Sequence, residues 1–478
     1  MQLFNTLTRQ KEEFKPIKKG RVLIYHCGPT VYWTQHLGNM RAMVLADLVR
    51  RSLEYLDFKI KFVRNYTDVG HLVSDTDEGE DKMEKSAKRE NSSPEEIANK
   101  YIKIFDEDIK KLNVITPEKR PRATKCIKEI IQMVRVLLDK NFAYATDLAI
   151  YFDVSKAKNY TALSGQKLEA NIKDAGKGEV SDPQKKQPAD FALWFFKAGA
   201  HAQALQTWPS PFTSSLVKNG EGFPGWHIEC SVMAQKFLDK TIDIHMGGVE
   251  HVPVHHTNEI AQSEATNGVK FVNYWLHNEH LLVNNGKMSK SEGTSFTLQD
   301  VINKGYNPLA LRYFFLQAHY RSKQNFTWEA LEAAKTAYDK LSDFISDKGR
   351  ETRDRKIITH YTLLITRYKE KFVEFISDDF NIPAALALVW EIIKDHALPY
   401  SAKKKLILDF DQVLGLGLAK AKKEKTKIPA AVEKLMQERE QARAEKNWQK
   451  ADELRNKIYD LGFRIEDTAA GTKIEKNN

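Results

Sequence analysis

Within residues 21–55 a core-strand pattern, a glycine-bearing loop and a helical repeat follow one another without a gap, and few folds accommodate that order. Arg21-Val22-Leu23-Ile24-Tyr25 is the short apolar run of a buried strand. Cys27-Gly28-Pro29-Thr30 breaks it, and Gly38 then lets the backbone approach a ligand closely. From Met40 to Tyr55 the apolar residues Met40, Val44, Leu45, Leu48, Val49 and Leu53 recur at helical spacing. Strand, loop and helix N-terminus make an anion site, because unpaired N–H groups and the helix dipole face the loop together. Thr241-Ile242-Asp243-Ile244-His245 reads as a second strand running into a glycine turn. The pair predicts an α/β fold with a split Rossmann-like nucleotide-binding domain. Its ligand belongs at the carboxyl ends of the strands, where the halves meet.

The first half spans about residues 1–115 and the second about 220–265. Between them lies an insertion, 116–219, of helical and polar segments, with loops at Gly176-Lys177-Gly178 and Ser181-Asp182-Pro183. The stretch from Asp75 to Arg89 is very charged and reads as an exposed helix or loop. In residues 266–327, Asn307-Pro308 starts a helix carrying Leu309, Leu311, Tyr313, Phe314 and Phe315. From about 328 to 418 the pattern is that of a helix bundle, with Leu386, Val389, Trp390 and Ile393 on one face after the start Asn381-Ile382-Pro383. Residues 419–427 are a lysine-rich linker. A last module, 428–478, reads as two charged helices: Pro429 suits the first turn of one, Asn447 caps the other and Gly462 ends it.

Two short motifs carry chemistry. His36-Leu37-Gly38-Asn39 lies on the predicted anion site, where His36 donates a hydrogen bond to phosphate. Lys287-Met288-Ser289-Lys290-Ser291 follows the turn signal Asn284-Asn285-Gly286. Two ammonium groups on such a loop suit closure over a triphosphate. The three cysteines, Cys27, Cys126 and Cys230, argue against a disulfide framework. Cys126 sits in a helical stretch, Thr124 to Leu138, and reads as a buried apolar residue. His255 and Glu259 are four apart and share a helix face. Cys27, Cys230, His255 and Glu259 have the chemistry of a zinc ligand set, but without a Cys-x-x-Cys pair their spacing alone favours structural roles.

Taken together, the two motifs resemble the signatures of class I aminoacyl-tRNA synthetases, and the whole chain resembles the cysteinyl-tRNA synthetases. The resemblance runs from Leu3-Phe4-Asn5-Thr6-Leu7-Thr8 nearly to the C-terminus. It includes Cys27 to Tyr32, Asn65-Tyr66-Thr67-Asp68-Val69, Pro188 to Trp194, Gly225 to Cys230, Asp243-Ile244-His245 and His255 to Glu259. It implies activation of L-cysteine by ATP, with magnesium, followed by transfer of the cysteinyl group to the 3′ end of tRNA(Cys). It implies one zinc per chain on Cys27, Cys230, His255 and Glu259. The catalytic residues would be His36, Lys287 and Lys290, with Asn39 and Glu250 also at ATP. Thr67, Trp226 and His245 would surround the cysteine, His245 close to its reacting carboxylate. Residues 266–327 would contact the tRNA stem, the bundle would also bind tRNA, and Arg443, Trp448, Asp452 and Asp467 would read the anticodon. Asn39 stands where many members carry a second histidine, and Glu250 where aspartate is usual. Asn39 can therefore orient but carries no proton charge, and Glu250 reaches further toward a ribose.

The implied zinc answers a recognition problem. Cysteine and serine differ by one atom, which an apolar pocket discriminates by only about 1–3 kcal/mol. A metal that takes a thiolate at about 2.3 Å makes the sulfur itself the determinant.

The formal net charge of +10 suits a polyanionic partner. No apolar run reaches membrane-spanning length and the start carries no signal-peptide pattern, so the expectation is a cytoplasmic monomer with no membrane partner. Three other readings compete. A cysteine ligase of mycothiol biosynthesis shares the zinc site and ATP motifs but is expected to lack residues like 428–478. A silent tRNA-binding paralogue would have lost zinc ligands or loop lysines. A generic nucleotidylyltransferase explains the His36 region alone.

Overall fold

The computed structural model describes residues 1–70, 81–166, 182–286, 288, 293–347, 361–420, 429–468 and 471–476. The chain divides into two compact units, Met1–Lys420 and Ala421–Asn478.

The first unit is built on a four-stranded parallel sheet. Its order is Val272–Asn278, Ile242–Gly248, Arg21–His26, Lys59–Arg64. Arg21–His26 leads into helix α1 (Leu37–Tyr55) and back to Lys59–Arg64; Ile242–Gly248 leads into the helix His255–Asn267 and back to Val272–Asn278. The two central strands thus send their crossovers in opposite directions, which opens a crevice at their carboxyl ends. α1 buries Met40, Val44, Leu45, Leu48, Val49 and Leu53, as its spacing predicts, together with Arg41 and Asp47. Val272–Asn278 is a full member of this sheet although it lies beyond 265, in the stretch assigned to stem contact. The second half of the domain therefore extends to Asn278, because the helix His255–Asn267 is the crossover to the strand that pairs in parallel beside Ile242–Gly248.

The insertion differs from its sequence reading. It is organised by a five-stranded antiparallel sheet, ordered Ala143–Ala145, Ala149–Phe152, Phe191–Phe196, Glu221–Pro224, Trp208–Pro209. All six residues of Phe191–Phe196 are buried, so the strand shows no alternation to betray it. Glu221–Pro224, from beyond residue 219, lies between Phe191–Phe196 and the edge strand Trp208–Pro209. Cys126 caps the helix Ile127–Asp139 rather than lying inside it, and is buried as expected. The charged stretch at 75–89 is described only from Asp81. There helix α2 (Lys82–Glu90) buries Met83, Glu84, Ser86 and Ala87 and exposes the rest of one face.

Helices Trp328–Ser346, Thr362–Ser377, Ile382–Lys394 and Tyr400–Leu414 form the bundle. Asn381 caps the third, accepting from the Ala384 N–H at 3.3 Å, with Pro383 in its first turn. Asn307 likewise caps Pro308–Leu316. The predicted linker falls largely on residues 421–428, outside the described residues.

The second unit pairs the helices Ala430–Ala444 and Trp448–Asp460 with an antiparallel hairpin, Phe463–Thr468 against Gly471–Lys476. Val432, Ile458, Phe463 and Ile465 form its core. Asn447 caps the second helix, and Gly462 leaves it at φ +85°. The hairpin has no counterpart in the two-helix reading: its first strand buries Phe463 and Ile465 and exposes the charged Arg464, Glu466 and Asp467.

Candidate active site

A cavity of about 510 Å³ opens at the carboxyl ends of the central strands. Cys27, Gly28 and Pro29 leave the Arg21–His26 strand to form one wall, and Gly247, Gly248 and Glu250 leave Ile242–Gly248 to form another. His36 and Asn39 enter from the start of α1, Thr67 from the turn after Lys59–Arg64, and Trp226, Cys230 and His255 from two helices. Nine sequence-predicted residues thus meet in one place: Cys27, His36, Asn39, Thr67, Trp226, Cys230, Glu250, His255 and, just behind the wall, Glu259.

His36 is the N-cap of α1. Its Nδ1 accepts from the Asn39 backbone N–H at 3.3 Å, which leaves Nε2 to carry the proton of a neutral ring. Asn39 thus orients His36 through its main chain, whatever its side chain. A Cβ at Gly38 would strike both the His36 ring and Met288 Cε. The Leu37 N–H donates to the Phe296 carbonyl at 2.8 Å, and His36 bridges Thr297. The turn at Asn284 and Asn285 takes φ of 50° and 65°, and Gly286 N–H donates to Val283 O at 2.9 Å. Met288 and the residues just after the second motif therefore abut the first. Lys287 and Lys290 themselves lie outside the described residues. Glu250 folds its carboxylate against Gly248, where any side chain would collide with it, and lies 3.8 Å from His280.

The expected metal quartet converges. Ligand atoms of Cys27, Cys230, His255 and Glu259 all lie within 4.8 Å of one another, and all four residues are buried. The sulfurs are 3.9 Å apart. Tetrahedral ligands at zinc–sulfur distance would be separated by about 3.8 Å, whereas a disulfide needs about 2.05 Å. His255 Nε2 is 3.1 Å from Glu259 Oε1, which is 3.7 Å from Cys27 Sγ. The donor set, two soft sulfurs with an imidazole and a carboxylate, fits zinc in chemistry and in size.

Charge is already separated inside this cluster. Burial pushes the Cys27 thiol well up, while the hydrogen bond from Cys27, and then His255, bring Cys230 down to about 6. Burial works against the His255 imidazolium, but hydrogen bonds to Cys230 and Glu259 outweigh it and raise it to about 9. Burial would raise Glu259; His245 and His255 instead hold it down at about 2.

A layer of histidines behind the quartet escaped the sequence reading. His227 Nδ1 meets His255 Nδ1 at 2.9 Å, which points His255 Nε2 at the other ligands. His256 Nε2 lies 3.3 Å from Cys27 Sγ, its Nδ1 meets His277 Nε2 at 2.7 Å, and His277 Nδ1 meets Thr6 Oγ1 at 2.8 Å. Cys27, His245, His256 and Glu259 even form a second convergent set. The density of histidine between 245 and 277 was the available signal. His245 itself does not reach the cavity wall. It is fully buried, bonds Glu259 Oε2 at 3.0 Å and stacks on Trp275 at 4.5 Å. Trp226 is in the wall, stacked at 4.2 Å on His255. Thr67 Oγ1 accepts from Asn65 Nδ2 at 3.1 Å.

In the second unit Trp448 is 60% exposed, which rules out a packed core role. Asp452 and Arg455 are exposed on the same helix. Asp467 takes two bonds from Arg439, at 3.0 and 2.7 Å, and lies 2.5 Å from Arg443. Arg443 and Asp467 therefore form one unit with a residue, Arg439, that the sequence did not single out.

Residues 13–336 match the family model described as the class I (C) tRNA synthetase catalytic domain, and residues 425–473 the one described as the cysteinyl-tRNA ligase anticodon-binding domain. The chain is 39% identical over 499 aligned residues to a cysteine–tRNA ligase of Treponema denticola, covering 100% of this chain and 99% of the relative. It is 41% identical over 476 residues to cysteine–tRNA ligase 1 of Burkholderia lata, covering 99% and 96%. Among solved structures, a Mycobacterium tuberculosis methionyl-tRNA synthetase bound by methionyl-adenylate superposes with a TM-score of 0.56 at 12% identity, covering 84% of this chain and 93% of that one. At that identity the likeness is one of fold.

Proposed function

The chain belongs to the cysteinyl-tRNA synthetase family of class I, and from that premise we infer that it activates L-cysteine with ATP and transfers it to the 3′ end of tRNA(Cys), with zinc on Cys27, Cys230, His255 and Glu259 choosing the thiol over serine's hydroxyl. The observation that carries the reading is the convergence of this quartet on the cavity that also holds His36.

In the first step a cysteine carboxylate oxygen bonds to the α-phosphorus of ATP and the bond to pyrophosphate breaks. The protein's task is placement and neutralisation of charge. His36 Nε2–H donates to a phosphate oxygen, the first turn of α1 adds backbone N–H groups, and Lys287 and Lys290 close over the leaving pyrophosphate and its magnesium. Glu250 accepts from the ribose hydroxyls. Trp226 and Thr67 wall the cysteine. When bound, zinc supplies direct coordination of the substrate sulfur as thiolate. His245 holds Glu259 and His227 holds His255, so the ligands are set before the substrate arrives. In the second step a terminal ribose hydroxyl of tRNA attacks the activated carbonyl and AMP leaves. Trp448 stacks on an anticodon base, while Asp452 and the Arg443–Asp467 pair bond base edges. Two sulfurs 3.9 Å apart in a functional reduced state suit a reducing compartment, the cytoplasm. A monomer is part of the proposal. Among the described residues no helix is long and apolar enough to cross a membrane.

Charging of total tRNA with labelled cysteine, with serine in parallel, tests the reading. Cysteine bound to tRNA, with no serine, is the expected result. Cysteine-dependent ATP–pyrophosphate exchange without tRNA charging would move the acceptor to a small amine, as in the mycothiol ligase.

A further inference from the structure

At the rim of the cavity, away from the quartet, three flat groups come together. Trp33 lies in the cavity wall. The Arg89 guanidinium carbon sits 3.9 Å over its indole, and the Tyr101 ring is stacked beside it with centroids 6.3 Å apart and planes at 21°. Arg89 is at the end of α2, and its side chain remains 42% exposed although it lies over Trp33.

The arrangement is held in place. Arg89 Nη2 donates to Ser86 Oγ at 2.5 Å and to Glu90 Oε1 at 2.8 Å. Ser86 Oγ in turn donates to the Tyr32 carbonyl at 2.7 Å, and Tyr32 is also in the cavity wall. Glu90 is bonded by Lys100 Nζ at 2.6 Å and by the Tyr101 hydroxyl at 2.5 Å, so its charge is already matched. The guanidinium plane is thus fixed before any ligand arrives, which lowers the entropy cost of stacking on it.

The helix face that carries Arg89 also carries a row of cations. Lys82, Lys85 and Arg89 fall at i, i+3 and i+7, on one face. Lys82, at the other end of the row, is itself in the cavity wall. The row spans roughly 10 Å at the rise of an α-helix. A flat cation backed by an indole, with ammonium groups leading from it into an active-site cavity, matches a single RNA strand. The base offers a π-face and the backbone offers phosphates. A duplex offers no open base face.

We propose that Arg89, backed by Trp33 and Tyr101, is the subsite for an unpaired base at the 3′ end of the acceptor RNA, with Lys85 and Lys82 taking the phosphates that lead into the cavity. The proposal rests on the aminoacylation reading above and adds to it the path of the acceptor strand.

Binding of intact tRNA(Cys) and of the same RNA trimmed of its unpaired 3′ nucleotides, each to the unmodified protein and to Arg89→Ala, tests it. The substitution is on an exposed side chain, and unchanged binding of the trimmed RNA reports that the fold is intact. Intact RNA is expected to lose about tenfold in affinity, while the trimmed RNA binds both proteins alike. Arg89→Lys keeps the charge but not the plane, and is expected to fall short of restoring affinity. Cysteine-dependent ATP–pyrophosphate exchange should be unchanged in both variants. Equal losses for the two RNAs, full rescue by lysine, or a raised KM for ATP in the exchange assay would each overturn the subsite. Absence of exchange in the unmodified protein is a different failure, that of the aminoacylation reading.

Discussion

The Asp47–Arg312 pair and the Cys27–Cys230–His255–Glu259 cluster are both sealed from water, but the first pairs fixed donors with acceptors while the second turns four metal-type ligand atoms toward one another. Arg312 sends Nη2 to Asp47 Oδ2 at 2.7 Å, Nε to the Leu414 carbonyl at 2.8 Å and Nη1 to the Leu112 carbonyl at 2.9 Å. Asp47 also accepts from Ile115 N–H at 2.8 Å and Arg51 Nε at 2.7 Å. The pair ties α1 to the bundle and has no donor left to offer. In the quartet the sulfurs face each other beyond bonding distance for a disulfide, and an imidazole and a carboxylate aim between them. Buried charges are tolerated only when matched. The first cluster is matched by protein alone. In the second, the Cys27 and His255 hydrogen bonds bring Cys230 down to about 6, and against burial the bonds to Cys230 and Glu259 raise His255 to about 9, so the cluster favours a thiolate beside an imidazolium. Fixed donors matched to acceptors mark a structural element, and soft and anionic ligand atoms converging within 4.8 Å mark a binding site.

The widest separation between the two should come from substitutions that remove one partner. Asp47→Ala leaves the Arg312 guanidinium buried without its carboxylate and should cost about 3–5 kcal/mol in denaturant unfolding of the first unit. Metal content and cysteine selectivity should be unchanged while the protein is folded. A cost below about 1 kcal/mol would show that the pair is not the structural tie its geometry suggests. Cys230→Ser is the converse. Bound zinc, measured by elemental analysis, should be lost, and cysteine-dependent pyrophosphate exchange should fall by roughly 10²–10³-fold, because the metal that would hold the substrate sulfur is gone. Full metal content in that variant would remove the quartet from the mechanism.

What the sequence made legible follows from range. α1 was readable because its apolar residues repeat every three to four positions and its cap is adjacent. The parallel core was readable from two strand–loop–helix units. The insertion sheet was not, because Phe191–Phe196 is buried on both faces and an unbroken apolar run has no period. Cys27 and Cys230 are 203 positions apart, so no local spacing joins them. Resemblance supplied that pairing, and the geometry then gave it a physical basis. The supporting histidines were invisible for the same reason: His277 reaches the site only through His256, from the neighbouring strand. His245 was assigned by resemblance to the substrate side, and only the structure reveals its bond to Glu259.

A third cluster lies between the two extremes and gives the smallest expected effect. Asp467 is matched by Arg439 and Arg443, but its side chain is 34% exposed, so solvent screens part of the interaction. The hydrogen bonds and charge of Arg439, joined by Arg443, hold the Asp467 carboxyl well below its ordinary value. A carboxylate depressed in the folded state adds stability that is fully present above its unfolded value, about 3.9, and is lost as pH falls below it. Amide-exchange protection in the Ala430–Ala444 helix and the Phe463–Thr468 strand, corrected for intrinsic rates, should therefore decline in the intact protein below about pH 4. Asp467→Asn should show the reduced protection already at neutral pH, by about 1 kcal/mol, and should flatten the acid dependence. Identical profiles for the two proteins would mean that the clamp does not stabilise this unit. Its two arginines would then be held for RNA rather than for the fold, on the same side of the comparison as the quartet.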